Sequence, residues 1–387
     1  MADTKQNRVA WLNTVRVFAS FTIILSHYAL LDQFRTTHAN IYWAFGGIGQ
    51  IGVILFLAIS GYLASNSLKH SKNIWEFYRR KLIRIVIPFT TAYVILGTLF
   101  ILLGILEPSL PERSPLNHII YKGGKYLGVL YGIVPIDMNI IKLFQLPYYW
   151  FIGEWFIGMI VFMYLIAPFL EKCLRKNFIL TAIGSIIVAI AMYHFIISGY
   201  SPKASLMIAS WSFVVRIPQF LVGMTIFVYR DFILKHRSIL NKICLSIVLV
   251  ILAYSFITVD IGQPIFRGRL FIGTERDFVF SLPASYLFFA FAEWLNEKIS
   301  SSTLEKFNSY SDISYMAMLI QHVVILLFAK SFDFTRLSKF GTVFMLILIT
   351  GTVVVASYKI RAVYKPIEEW CIDNFLTRKR KSTSVDV

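Results

Sequence analysis

The sequence predicts an all-α fold: a polytopic bundle of about ten transmembrane helices with both termini in the cytoplasm. Hydrophobic residues make up 57% of the 387 residues and charged residues only 15%, and the mean hydropathy is +0.66. A soluble domain is nearer half apolar and a quarter charged. Apolar runs of about 20 residues recur along the whole length, and each can cross roughly 30 Å of hydrocarbon as a helix. This pattern excludes a soluble enzyme held by a single anchor.

Ten apolar runs account for the predicted helices. The first has no small-residue cleavage site after it, so it is predicted to stay in the protein rather than act as a signal peptide. The predicted spans are 11–30, 46–68, 86–106, 150–170, 178–198, 206–229, 240–258, 279–298, 313–330 and 340–358. They divide the chain into a cytoplasmic N-terminus (1–10), one membrane domain (11–360) and a basic cytoplasmic tail (361–387).

Basic residues predict the orientation. With the N-terminus inside, 24 Lys and Arg residues fall on the cytoplasmic side and 12 on the outer side. Cytoplasmic loops of membrane proteins are rich in Lys and Arg, so this excess supports both termini inside. The same rule accounts for the net charge of +17 without a nucleic-acid partner. The longest connection, 107–149, is then extracytoplasmic.

The three cysteines predict no metal or redox site. Cys173, Cys244 and Cys371 are scattered, without the close spacing of a metal-binding or disulfide-exchange motif. We therefore expect them to be structural, and no metal ligands are assigned.

The first span, "NTVRVFASFTIILSHYAL" (13–30), carries a polar stripe. His27 follows Arg16 by eleven positions, which is about 20° more than three helical turns, so both lie on one face roughly 16 Å apart. Ser20 lies on that face, and Asn13 precedes Arg16 by one turn. Such a stripe should face the bundle interior or a water-filled cavity. His27 is a candidate general base. The simpler alternatives are that Arg16 snorkels to the interface and that His27 makes a structural hydrogen bond.

A basic segment follows the second span. The predicted cytoplasmic loop "KHSKNIWEFYRRKLIRIVIPF" (69–89) contains Arg80, Lys81 and Arg84 at the entrance to the third span. Arg side chains match the geometry of phosphate oxygens, so a patch of this kind can bind a phosphorylated cytosolic donor. The alternative is that these charges only set the orientation of the chain.

Further polar or small residues inside the spans are candidate site residues, each with a simpler explanation. Ser60 and Gly61 in "FLAISGYL" permit either close helix approach or a local break. An intramembrane carboxylate is functional by default, so Glu154 can orient His27 or pair with an arginine. The others are Arg216, which can form a buried charge pair, His322, which can make a structural hydrogen bond, and Trp150, which can stack on a sugar or anchor the interface.

Six stretches resemble the acyltransferase 3 family of membrane proteins in their order and spacing. They are "VRVFASFTIILSH", "ILFLAISGYL", "FYRRKLIRIVIPF", "YYWFIGEWFIGMIVFMYLIAPFL" (148–170), "RIPQFLVGM" (216–224) and "SYMAMLIQHVVI" (314–325), and together they cover about 11–330. Many relatives add an extracytoplasmic hydrolase-like domain, and this chain resembles the stand-alone members.

The resemblance implies roles for particular residues. His27 corresponds to the catalytic histidine and Arg16 to its motif partner. Arg80, Lys81 and Arg84 fall on the basic motif associated with the acyl-CoA. The family commonly has R-x-x-R there, whereas this chain has Lys81-Leu-Ile-Arg84, which keeps the charge but loses one guanidinium fork.

The resemblance also implies the reaction. The expected activity is transfer of an acetyl group from cytosolic acetyl-CoA to a hydroxyl of a cell-surface or lipid-linked glycan, in a bacterial plasma or inner membrane. Acyl-CoA, a carbohydrate acceptor and membrane lipid are the expected partners, with no permanently bound cofactor. The loop 107–149 is the expected acceptor-recognition element. Open alternatives are a glycan flippase without covalent chemistry, a succinyl or longer acyl donor, an acyl-enzyme intermediate, and an acceptor on the cytoplasmic side.

Overall fold

The computed structural model of the protein describes residues 3–31, 33–106, 152, 154–198, 211–258 and 275–377. Within these ranges the chain is helical and contains no strand, which confirms the predicted all-α fold. The loop 107–149, Trp150 and the tail beyond Thr377 lie outside the described residues, so the predictions made for them stay predictions.

Every predicted span coincides with a helix, in the predicted order. Thirteen α-helices are described: α1 (Asp3–Ala29), α2 (Phe34–Thr37), α3 (Ala39–Phe45), α4 (Gly49–His70), α5 (Ile74–Leu106), α6 (Glu154–Lys176), α7 (Phe178–Ser198), α8 (Phe213–Val228), α9 (Arg230–Lys235), α10 (Arg237–Thr258), α11 (Glu275–Lys298), α12 (Ser301–Ser331) and α13 (Lys339–Ile372).

Eight of the described helices are long and apolar enough to cross a membrane: α4, α5, α6, α7, α10, α11, α12 and α13. The two remaining predicted spans are α1 and α8. Of these, α8 is apolar but only 16 residues long. Both are packed against several other helices and bury many of their residues.

The basic segment differs from the prediction. We expected a loop over 69–89, but only residues 71–73 separate α4 from α5, and the basic residues are helical. Local hydrogen bonds explain the early helix start. The Asn73 side chain accepts from the backbone N–H of Glu76 at 2.9 Å, and the Glu76 carboxylate accepts from the backbone N–H of Lys72 at 2.9 Å. This is a reciprocal arrangement of the capping-box type.

Helices α4 and α8 cross at a pair of glycines. A Cβ atom on Gly61 would lie 1.9 Å from the carbonyl oxygen of Phe220, and one on Gly223 would lie 1.7 Å from that of Ala58. Only glycine allows two helix backbones to approach this closely. Because α4 is continuous across Gly61, the structure supports the close-approach interpretation of "FLAISGYL" over a local break.

Helix α1 lies against α4 on one side and α12 on another. A Cβ on Gly52 would lie 2.5 Å from the carbonyl oxygen of Ala19, so α1 also meets α4 through a glycine. Apolar residues of α7 and α10 remain exposed on the outside of the bundle, as expected of lipid-facing helices. The polar stripe of α1 is therefore directed at α12, inside the protein.

Candidate active site

The half of the α1 stripe that contains Asn13 and Arg16 is hydrogen-bonded to α12. Arg16 Nη1 donates to Asn13 Oδ1 at 3.1 Å and to Ser311 Oγ at 3.5 Å. Ser311 Oγ donates to Asn13 Oδ1 at 2.9 Å, and Asn13 Nδ2 donates to Asn308 Oδ1 at 2.7 Å. All these partners of Arg16 are neutral, so they orient the guanidinium without cancelling its charge. We call this end of the bundle the basic end.

Ser20 links the two helices one turn further along. Its hydroxyl is placed 3.0 Å from the carbonyl oxygen of Arg16 and 3.0 Å from that of Ser314, and the residue is buried. A hydroxyl has one hydrogen, so these two carbonyls share it. Ser20 therefore braces α1 against α12, which is a structural contact within the predicted stripe.

Three cations meet at the basic end. Arg16 of α1 and Lys81 and Arg84 of α5 are close enough to repel one another electrostatically. None of the three forms an ion pair with a described residue. Asp312 is the carboxylate that acts on Arg16, and it is bonded to Arg361 at 2.8 Å. The cluster therefore presents uncompensated positive charge.

The basic residues of α5 are not equivalent. Arg80 pairs with Glu76 on its own helix at 2.6 Å. Lys81 Nζ donates to the carbonyl oxygen of Leu63 in α4 at 2.8 Å and lies 4.8 Å from the ring centroid of Tyr164. Arg84 is exposed and has no ion-pair partner in the described part of the chain. Arg84 is thus the most available to a ligand.

Tyr164 of α6 was missed by the sequence reasoning. Its ring is buried beneath Lys81, its hydroxyl is hydrogen-bonded to Ser60, and it lies within the electrostatic reach of Arg16 and Arg84. Little in the sequence pointed to this residue, because a tyrosine in an apolar helix usually packs in the core or lies at a membrane interface. The contact also gives Ser60 a partner that the sequence did not indicate.

His27 occupies the other end of the stripe, which we call the histidine end. Its Nδ1 lies 2.8 Å from the side-chain amide of Gln321, and its ring centroid is 5.3 Å from that of His322. Gln321 is buried and His322 is exposed. The structure brings the predicted His322 to His27, but the hydrogen bond is made by its neighbour, which the sequence reasoning did not select.

Arg216 is a fully buried residue near the same end. Its Nη2 donates to Gln50 Oε1 at 3.1 Å. The residue before Gln50 is Gly49, and Gly49 packs on Ser26 of α1. Ser26 directly precedes His27, so the Arg216 contact lies at the level of the histidine end.

An aromatic pair lies at the start of α6. Trp155 stacks on Trp211 with ring centroids 5.5 Å apart. Glu154 is the first residue of α6, but its side chain lies outside the described residues, so its predicted role stays a prediction. Among the described residues no group of three potential ligands is placed to hold a metal ion.

Residues 9–361 match the family model described as "Acyltransferase domain". The chain belongs to the acyltransferase 3 family. The matched range contains both ends of the stripe and the basic segment of α5. Membership makes this protein a membrane acyltransferase, in agreement with its apolar helices. No curated protein and no solved structure gives a significant match to the acyltransferase.

Proposed function

We propose that this acyltransferase moves an acetyl or similarly short acyl group from cytosolic acyl-CoA to a hydroxyl of a cell-surface or lipid-linked glycan, with His27 as the general base. The observation that carries the proposal is the single polar stripe between α1 and α12. It joins the unpaired charge of Arg16 at one end to His27 at the other, across roughly 16 Å of helix.

The donor would bind at the basic end. The phosphates of coenzyme A are anions, and Arg16, Lys81 and Arg84 supply positive charge without ion-pair partners among the described residues. Guanidinium groups bind phosphate oxygens in pairs of hydrogen bonds. Lys81 would contribute charge while its ammonium stays bonded to Leu63. The slender pantetheine arm then runs along the stripe toward His27.

The chemistry at the histidine end is direct transfer. His27 Nε2 takes the proton of the acceptor hydroxyl while the hydroxyl oxygen attacks the thioester carbonyl carbon. A new C–O bond forms, and the carbonyl oxygen carries the negative charge of the tetrahedral intermediate. The C–S bond then breaks, and the thiolate of coenzyme A receives the proton from the His27 imidazolium. The products are the O-acylated acceptor and coenzyme A.

The acceptor would enter at the histidine end. The stacked Trp155 and Trp211 offer aromatic faces of the kind on which sugar rings pack, and Arg216 lies near the same end. The predicted acceptor loop, 107–149, follows α5 and would add contacts there. Water is kept from the thioester by the apolar walls of the surrounding helices.

The test is acyl transfer by the purified full-length protein supplied with labelled acetyl-CoA and glycan extracted from the cell surface. His27→Ala should abolish transfer while the protein still folds and inserts into membranes. His194→Ala, which changes an exposed histidine of α7, is the matched control and should transfer normally. Normal transfer by His27→Ala would refute the mechanism. Glycan movement across vesicles without transfer in the unaltered protein would favour a flippase.

A further inference from the structure

We propose that Gln321 is a positioning residue: its side-chain oxygen holds the hydrogen of His27 on Nδ1 and so leaves Nε2 as the basic nitrogen. The inference rests on the proposed function, in which His27 is the general base.

Gln321 is the residue of α12 that bonds to the His27 ring. The two side chains meet at 2.8 Å, and Gln321 is only 2% exposed. The nitrogen and oxygen of an amide have nearly the same shape, so the hydrogen-bond network decides which one faces the ring. With the nitrogen toward Nδ1, Oε1 has no hydrogen-bond partner among the described residues.

The proposed function decides the orientation. Nδ1 of His27 faces Gln321, so Nε2 is the nitrogen left to face the acceptor, and a general base needs its lone pair there. A neutral imidazole has one N–H and one lone pair, so the hydrogen is then on Nδ1.

With the hydrogen on Nδ1, an amide NH₂ turned toward the ring would place two hydrogen-bond donors against each other. Rotating the Gln321 amide removes this clash and gives the buried Oε1 a partner. The resulting arrangement is Nδ1–H donating to Oε1.

The arrangement matters for catalysis because a neutral imidazole has one N–H and one lone pair. When Nδ1 holds the hydrogen, the lone pair is on Nε2 and can receive the proton of the acceptor. The bond to Oε1 also strengthens as the ring becomes an imidazolium, since hydrogen bonds from charged donors are stronger. A neutral amide does this without placing a carboxylate between apolar helices, where an unpaired charge is costly.

Two variants of the full-length protein test the role. Gln321→Met keeps the length of the side chain but has no oxygen, and we expect kcat to fall about 10²-fold, as for a misdirected histidine base. The KM values for acetyl-CoA and for the acceptor should change little, because the contacts of both substrates with the protein are retained. Gln321→Glu keeps an acceptor oxygen. It should retain most of kcat at alkaline pH, where kcat no longer changes with pH.

The pH profile separates positioning from packing. A carboxylate beside His27 favours the imidazolium and raises the pKa of the base. Because the base works only when neutral, the acidic limb of kcat in Gln321→Glu should move to higher pH. An equal loss of kcat in both variants with an unmoved limb would mean that Gln321 only fills space, and would overturn the proposal. Unchanged kcat in Gln321→Met would also overturn it.

A measurement on the unaltered protein covers the case in which the variants misfold. The ¹⁵N NMR spectrum of histidine-labelled protein distinguishes the two tautomers, and the His27 signal is the one lost in His27→Ala. A hydrogen on Nε2 would overturn the inference. If His27→Ala still transfers acyl groups, the proposed function fails. If it is inactive while Gln321→Met is fully active, only the role of Gln321 fails.

Discussion

The basic side chains of α5 look alike in the sequence, yet each already has a different environment. Arg80 is bonded to Glu76, Lys81 to the carbonyl of Leu63, and Arg84 lies exposed beside Arg16 and Lys81. A side chain that must leave a partner gains less from binding a phosphate than one that is unbonded. The cation that contributes most to donor affinity is therefore expected to be Arg84.

Replacing Arg84 tests this ranking. Arg84→Gln should raise the Kd for acetyl-CoA about tenfold or more, the effect of losing a charged hydrogen bond. Arg80→Gln should have a smaller effect, because much of its charge is already met by Glu76. Arg79→Gln, an exposed neighbour, is the control for general loss of charge. Isothermal titration calorimetry gives the three values. Equal effects of Arg79→Gln and Arg84→Gln on the Kd would mean that the charges of this segment only set the orientation of the chain in the membrane.

Arg16 poses the question of whether it binds the donor or braces α1. Its hydrogen-bond partners, Asn13 and Ser311, are neutral, so Arg16→Gln removes no described ion pair. We expect the thermal stability of this variant to change little and the Kd for acetyl-CoA to rise about tenfold. Thermal unfolding in detergent and calorimetry measure the two effects. A large drop in Tm with unchanged Kd would instead show that Arg16 is a brace.

The α1 stripe was predictable from the sequence, but its partners on α12 were not. Helical periodicity alone places Arg16 and His27 on one face. Gln321 and His322 are adjacent and point about 100° apart, so which one bonds to His27 depends on the rotation of α12 about its axis. That rotation is set by tertiary packing, which periodicity does not report.

At the scale of helices, α4 and α8 are held together by reciprocal glycines. Gly223→Ala should lower stability by more than about 2 kcal/mol, because its Cβ would overlap the carbonyl oxygen of Ala58 and the backbones must separate. Gly184→Ala in α7 is the matched control, since nothing lies within 4 Å of its Cβ position. Thermal unfolding in detergent compares them. Equal Tm values would contradict the close crossing.

Helix positions were predicted better than helix ends. All ten spans are helices because apolar length is a direct requirement of the hydrocarbon. By contrast, α5 begins at Ile74 rather than 86, and α13 continues to Ile372 rather than 358. Apolarity marks the part of a helix that lies in lipid, and polar turns continue beyond it. The cap formed by Asn73 and Glu76 was the available signal for the start of α5.

At the scale of the whole molecule, the two ends of the stripe are predicted to lie on opposite sides of the membrane. Residues 71–73 connect helices at the basic end, and residues 332–338 connect α12 to α13 at the other end. The distribution of Lys and Arg predicts that the first connection is cytoplasmic and the second extracytoplasmic. The proposed reaction depends on this arrangement, because acyl-CoA is cytosolic and the acceptor is expected outside.

Cysteine labelling tests the arrangement directly. In a background with the three native cysteines changed to serine, Arg336→Cys should react with a membrane-impermeant maleimide in intact cells. Lys72→Cys should react only after permeabilisation. Both positions are exposed, so failure to label would reflect the membrane and not burial. The controls are the cysteine-free protein and full labelling of both variants in detergent. Labelling of both variants from outside would place the basic end away from cytosolic acyl-CoA, and the proposed path along the stripe would then be wrong.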